Sequence, residues 1–326
     1  MKSLAAERKL KLVDDVASKG APASAVTLAV TPAGTPTITP TLAPAVASLR
    51  HPPSEATLSL GFARDGDTTR LIERTHYGPL RVQKPLYPEG PEVCHAIVVH
   101  PPGGVVGGDW LAITARAGER AQALLTSPGA AKWYKANAQV SQQQVALTIE
   151  AGATLEWLPQ ETIFFDAAQI RLQHDVVMAA DAGYIGSEIL CFGRTAAGES
   201  FSTGRIGQRT SIRRGGRLLW FEQGAIVAPS ASMSGPLGLG GKTVCATLIA
   251  VGDNLTAALI KGLREEAALV TQDDGSFGAT LMKSMLVARY LGDSSAVAKR
   301  LMGLAWQHVR PAVVGRAAAV PRIWNT

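Results

Sequence analysis

His100 and Asp109 bracket a ten-residue stretch, His100-Pro-Pro-Gly-Gly-Val-Val-Gly-Gly-Asp109, that joins two potential metal ligands to a tightly specified backbone. Its prolines fix φ and its glycines permit φ > 0, so the path is neither helix nor ordinary strand. Loops so constrained either bind a ligand or mark a close backbone approach. A phosphate cradle is the first chemistry to weigh. The stretch lacks the GK[ST] ending of a P-loop and the spacing of a dinucleotide-binding turn, and no helix start follows it. Gly235-Pro-Leu-Gly-Leu-Gly-Gly241-Lys242-Thr243 is a near miss. Proline stands at 236 where a P-loop requires glycine, and the following Val244–Val251 reads as strand.

Metal chemistry has scattered support. His100 and Asp109 flank the loop, Glu188 interrupts an apolar strand, Asp166 follows Ile163-Phe-Phe, and Glu222 follows Leu218-Leu-Trp-Phe. Carboxylates at strand ends commonly form turns or ion pairs. Without local ligand spacing these groups would make a weak, exchangeable site for a divalent ion, not a zinc centre. No nucleophile lies in an elbow motif, so catalysis has no positive signature.

The elements that must position these residues read as β. Glycine turns recur at 118, 152, 183 and 215, with separations of 34, 31 and 32 residues, and strand-like sequence flanks each. That period suggests stacked hairpins or a β-superhelix with one continuous core, an ordinary sandwich being the alternative. The last third changes character. Asn254 could cap a helix bearing Leu255, Leu259 and Leu263, and Ser294 or Ser295 a second one stopped at Pro311. Gly275–Leu291 fits either helix or strand. The expected fold is therefore mainly β: a β-helix-like stack of many strands with two α-helices in the C-terminal third.

Composition bounds the rest. The chain has 326 residues, 46% hydrophobic and 18% charged, with a net charge of +6. Residues 1–54 form an Ala/Thr/Pro-rich stretch expected to be a flexible N-terminal extension, and 55–326 a single domain. Half of the +6 falls in residues 1–53, where six basic residues face three acids. The body carries no Arg/Lys stripe interleaved with aromatics, which argues against nucleic acid. No 18-residue apolar run points to a membrane span, and residues 1–20 lack a secretory h-region. Cys94, Cys191 and Cys245 are odd in number and far apart, consistent with free thiols in a reducing cytoplasm.

Two aromatic blocks remain: Thr126-Ser-Pro-Gly-Ala-Ala-Lys-Trp-Tyr134 and Leu155-Glu-Trp-Leu-Pro-Gln-Glu-Thr-Ile-Phe-Phe-Asp166. They read as core aromatics at strand ends or as a docking surface built on Lys132, Trp133, Tyr134, Phe164 and Phe165. Together with the glycine loop, Cys191-Phe-Gly-Arg-Thr-Ala-Ala-Gly-Glu199 and Val320-Pro-Arg-Ile-Trp324, these blocks resemble the urease accessory proteins UreD, called UreH in some organisms. The resemblance spans about Glu55 to Thr326. It implies a β-helix-like fold with two helices at its side, and a non-enzymatic role in urease maturation. It further implies binding of UreF, recruitment of UreG through UreF, and docking on the urease apoprotein. No cofactor would be tightly bound; nickel would pass in transit through the interior along Asp109, Glu188, Glu222 and His100. Two departures stand out: Ala131 replaces a hydroxyl residue often found before the lysine, and the N-terminal extension has no counterpart in shorter members. A β-rich metal-dependent hydrolase using carboxylates around the glycine loop is the alternative function.

Overall fold

A computed structural model describes residues 53–271 and 274–325. The expected extension, 1–54, lies outside the described residues apart from its last two. Two sheets carry the body, and the chain shuttles between them. The seven-stranded sheet holds β1 (Glu55–Asp65), β2 (Thr68–Tyr77), β5 (Trp110–Ala117), β8 (Ser141–Ile149), β11 (Gln169–Met178), β13 (Gly204–Arg214) and β14 (Arg217–Ala228). Its order is β14-β13-β11-β8-β5-β1-β2. The ten-stranded sheet holds β3 (Arg81–Val82), β4 (Val93–Val99), β6 (Gln122–Thr126), β9 (Thr154–Leu158), β12 (Gly183–Phe192), β15 (Val244–Val251), β16 (Ser276–Met282) and β17 (Met285–Gly292), with the short β10 (Thr162–Phe164) beside β12 and β7 (Ala131–Trp133) beside β10.

Strands β1, β5, β8, β11 and β13 pair in parallel, as do β4, β6, β9 and β12. Each coil of chain thus adds one strand to each sheet. The recurring glycine turns at 118, 152 and 183 are the corners between sheets, and they stack. Gly118 N–H donates to Phe62 O, Glu150 N–H to Ala117 O, and Ala179 N–H to Ile149 O. The flanking strands do not pair with each other, so the repeating unit is a coil and not a hairpin. The fourth turn differs: Gly215-Gly216 closes an antiparallel hairpin, β13–β14, and the parallel stacking ends there.

Alternation along each strand then assigns faces. Leu58, Leu111, Ile113, Leu147, Leu155, Val176, Leu190 and Ile249 point between the sheets into one core. On the outer face of the ten-stranded sheet, Ile185, Ile189 and Leu248 pack a second core against α2 (Ala257–Val270) and α3 (Ser295–Val314). A four-residue helix, α1 (Ala231–Ser234), precedes them and was not expected from the sequence. Thr256, not Asn254, caps α2 by accepting from Leu259 N–H. Ser294 caps α3 as expected, but α3 runs through Pro311 to Val314. Buried Val309 and Val314 hold its last turn on the sheet, and Gly315 ends it in the left-handed region. Gly275–Leu291 resolves as the β16–β17 hairpin.

Lys242 of the P-loop near miss pairs with Asp293 at 2.8 Å instead of facing a phosphate cradle. Cys94 and Cys191 are buried and Cys245 half-buried, all as free thiols.

Candidate functional site

The glycine loop crosses another segment at very short range. A Cβ at Gly107 would stand 1.8 Å from the Ala136 carbonyl oxygen, and one at Gly104 would meet the Tyr134 ring at 2.1 Å. Only glycine fits either crossing. Asp109 closes the loop: Oδ1 accepts from Ser54 N–H at 2.8 Å and Oδ2 from Val106 N–H at 2.9 Å. Asp166 plays the same part at another corner, accepting from Ser202 and Thr203 N–H at 2.7 and 2.8 Å. Both carboxylates are ties between backbone segments.

Beneath the loop lies a chamber of about 320 Å³ with mainly apolar walls, whose lining includes His100, Lys132, Gln143 and Gln160. Burial lowers the pKa of His100 and the Asp109 charge opposes this only in part, so the imidazole is neutral near pH 7.

Glu188 and Glu222 come together elsewhere. They share a cavity of about 50 Å³ between the sheets with His174, Tyr184, Thr210 and Thr247. The strand pattern explains why. Position 188 follows inward-facing Tyr184 at an even spacing on β12, and His174 falls on the inward face of β11 between Ile170 and Val176. Burial pushes the Glu188 carboxyl up to about 7; the Gln208 amide, donating at 3.2 Å, and Arg289 oppose the shift, and Glu222 adds to it. His174 is driven the other way, to about 4, by the same desolvation, and its Nε2 lies 2.8 Å from the Tyr184 hydroxyl. At the mouth, Arg289 of β17 donates to Glu222 of β14 at 2.7 Å and bridges the two sheets.

Sequence reasoning singled out Glu188 and Glu222 and missed His174, Tyr184, Gln208 and Arg289. Period-two alternation puts His174 on the apolar face and was the available signal. Asp109 and His100 border neither carboxylate of this cavity. Among the described residues no group of three or more His, Cys, Asp or Glu side chains could hold a metal ion.

The aromatic docking set divides. Trp133 is 1% exposed and Phe164 fully buried, so both are core, a correction that follows from alternation in the β7–β10 pair. Lys132 is exposed and Tyr134 and Phe165 are half-buried. The latter two meet edge to face at 4.7 Å, with Arg194 stacked 4.3 Å over Phe165.

Fold and interior together define a two-sheet β-solenoid with a helical layer on one side and a polar cavity at one end of its core. A family model described as UreD urease accessory protein matches residues 54–325. A urease accessory protein UreD from Janthinobacterium sp. (strain Marseille) is 64% identical over 281 residues, covering 86% of this chain and 94% of its own. The one from Nitrosospira multiformis is 54% identical over 274 residues, covering 84% and 98%; that from Dechloromonas aromatica is 47% identical over 285, covering 86% and 98%. The chain belongs to the UreD family of urease accessory proteins. As such it is an assembly factor rather than a catalyst, and the hydrolase alternative falls away. Among the described residues no helix is long and apolar enough to cross a membrane.

Proposed function

We propose that this protein serves urease maturation in the cytoplasm as a scaffold, joining UreF, and through it UreG, to the urease apoprotein. On this reading nickel passes through its interior toward the dinickel active site. The observation that supports passage is the pairing of Glu188 and Glu222 in one cavity between the sheets. Nitrogen and oxygen donors suit a divalent first-row ion. Two carboxylates, one of them tied to Arg289, offer too few donors for tight capture, which suits a cargo that must leave again. Size adds a second argument. A cavity of about 50 Å³ has room for roughly three waters. A fully hydrated ion is larger than that, so an ion moving inward from the half-exposed Glu222 at the mouth would give up part of its water shell.

Exposed Lys132 with the Tyr134–Phe165 pair is the reading's docking patch, since edge-to-face aromatics beside a cation are typical of interface anchors. Asp109 acts on the route only through the shape of the loop, and neutral His100 is the donor on the chamber side.

The test is a reconstituted activation with Glu188→Gln. Partner capture should be intact while the nickel content of the product urease falls. Unchanged nickel content would remove the interior route, and loss of partner capture would make Glu188 a structural residue.

A further inference from the structure

The carboxylate cavity and the chamber beneath the glycine loop share one wall, Trp157. Along β9 the side chains alternate: Leu155 and Trp157 project between the sheets, whereas Leu158 faces the helical layer. The indole is 8% exposed, and both voids border it. On the cavity side its ring lies 6.2 Å from the His174 ring, and His174 is itself pinned to the Tyr184 hydroxyl. On the chamber side it borders about 320 Å³ of space. That volume falls in the range that accepts drug-sized ligands, which are larger than an indole. The ring is thus backed by fixed groups on one side and by room to move on the other.

We propose that Trp157 is the barrier between the two voids, closed in this conformation and opened by rotation of the indole into the chamber. The inference rests on the interior-passage reading given above and names the residue that controls it. An apolar ring in the path offers an ion no replacement for its water, so passage with the ring in place is strongly disfavoured. With the ring displaced, the chamber-side donor His100 and the cavity-side Glu188 become the two ends of one corridor. Trp157 touches the route but supplies no ligand; its role is to set when cargo moves and to stop solvent from flowing through.

Initial rates of nickel transfer into urease test this, measured for the full-length wild type, Trp157→Phe, Trp157→Ala and Glu188→Gln, each assembled with its partners. The barrier predicts about a tenfold faster transfer for Trp157→Ala and two- to threefold for Trp157→Phe, with Glu188→Gln slower than wild type. Loss of packing alone would slow transfer, so a gain in rate is not produced by structural damage. Should Trp157→Ala fail to fold, the Phe variant carries the test. If Glu188→Gln slows transfer while the folded Trp157 variants match or fall below wild type, the barrier is overturned and the interior route stands. If neither position affects transfer, the route itself is lost.

Discussion

Glu156 and Trp157 are neighbours in β9, yet their side chains leave opposite faces of the ten-stranded sheet. Trp157 enters the space between the sheets. Glu156 Oε1 accepts from the Trp306 indole N–H at 2.6 Å and from Arg310 Nε at 3.0 Å, both on α3. Arg310 is fully buried and also donates to Glu89 at 2.6 Å, and Glu89 contacts His95 Nε2 at 2.6 Å. Burial works against the Glu89 carboxylate, but His95 and Arg310 hold it below its usual range. One strand therefore ties the helical layer to the wall between the voids.

Removing Arg310 should be severe. Arg310→Met leaves Glu156 and Glu89 without their shared cation and is expected to cost about 3–5 kcal/mol. Urea denaturation followed by circular dichroism measures it. A loss below about 1 kcal/mol would mean that α3 is held by apolar packing alone.

Glu188 should make stability and transfer depend on pH. Its carboxyl is raised from 4.5 to about 7, so its contribution to stability is complete below pH 4.5 and is lost as the pH rises through 7. Glu188→Gln removes that slope and should be the more stable protein at pH 8, by up to about 3 kcal/mol. On the proposed route nickel would compete with the proton at Glu188, so transfer should accelerate between pH 6 and 8 in the wild type and lose that dependence in the variant. Parallel melting curves for the two proteins at pH 5 and pH 8 would contradict the assignment.

At Asp109 a structural effect is expected first. Asp109→Ala orphans the Ser54 and Val106 amides and should cost about 2–4 kcal/mol, and Asp109→Asn, which keeps one acceptor oxygen, about half as much. If Asp109→Ala melts like the wild type but delivers less nickel, the carboxylate contacts cargo after all.

The aromatic blocks should separate by position. Trp133→Ala empties a buried site and is expected to cost about 3–5 kcal/mol. Tyr134→Ala should leave the melting temperature within a few degrees and weaken capture of the partner proteins in a pull-down. Equal capture by Tyr134→Ala and wild type would move the docking surface elsewhere.

Much of the fold was legible because a coil must return to the same sheet after a fixed length of chain. The spacing of glycines 118, 152 and 183 records that return. Gly215 fits the same spacing yet closes a hairpin, because a turn's composition does not say which sheet receives the next strand. Pro311 suggested a helix end; the apolar contacts of Val309 and Val314 outweigh its missing N–H. Glu188 was visible as a charge in an apolar strand. Its neighbours His174, Gln208, Glu222 and Arg289 come from four other strands, and alternation assigns a face to each without saying which will meet. The loop at His100–Asp109 was legible as a constrained crossing, but the acceptors and donors that tie Asp109 lie at positions 54 and 106 and carry no signal of their own.

Because every coil adds one strand to each sheet, the interior behaves as a ruler graduated in strands. Strands β5 and β8 wall the chamber, and the next two strands, β11 and β13, wall the carboxylate cavity. From β5 to β13 the two voids together span three inter-strand steps, about 14 Å. Duplicating or deleting one coil would change the length in increments of nearly 5 Å while leaving the chemistry at each end in place. On the proposed interior route, the distance that cargo would travel is therefore written in the number of repeats, independently of the residues that would bind it.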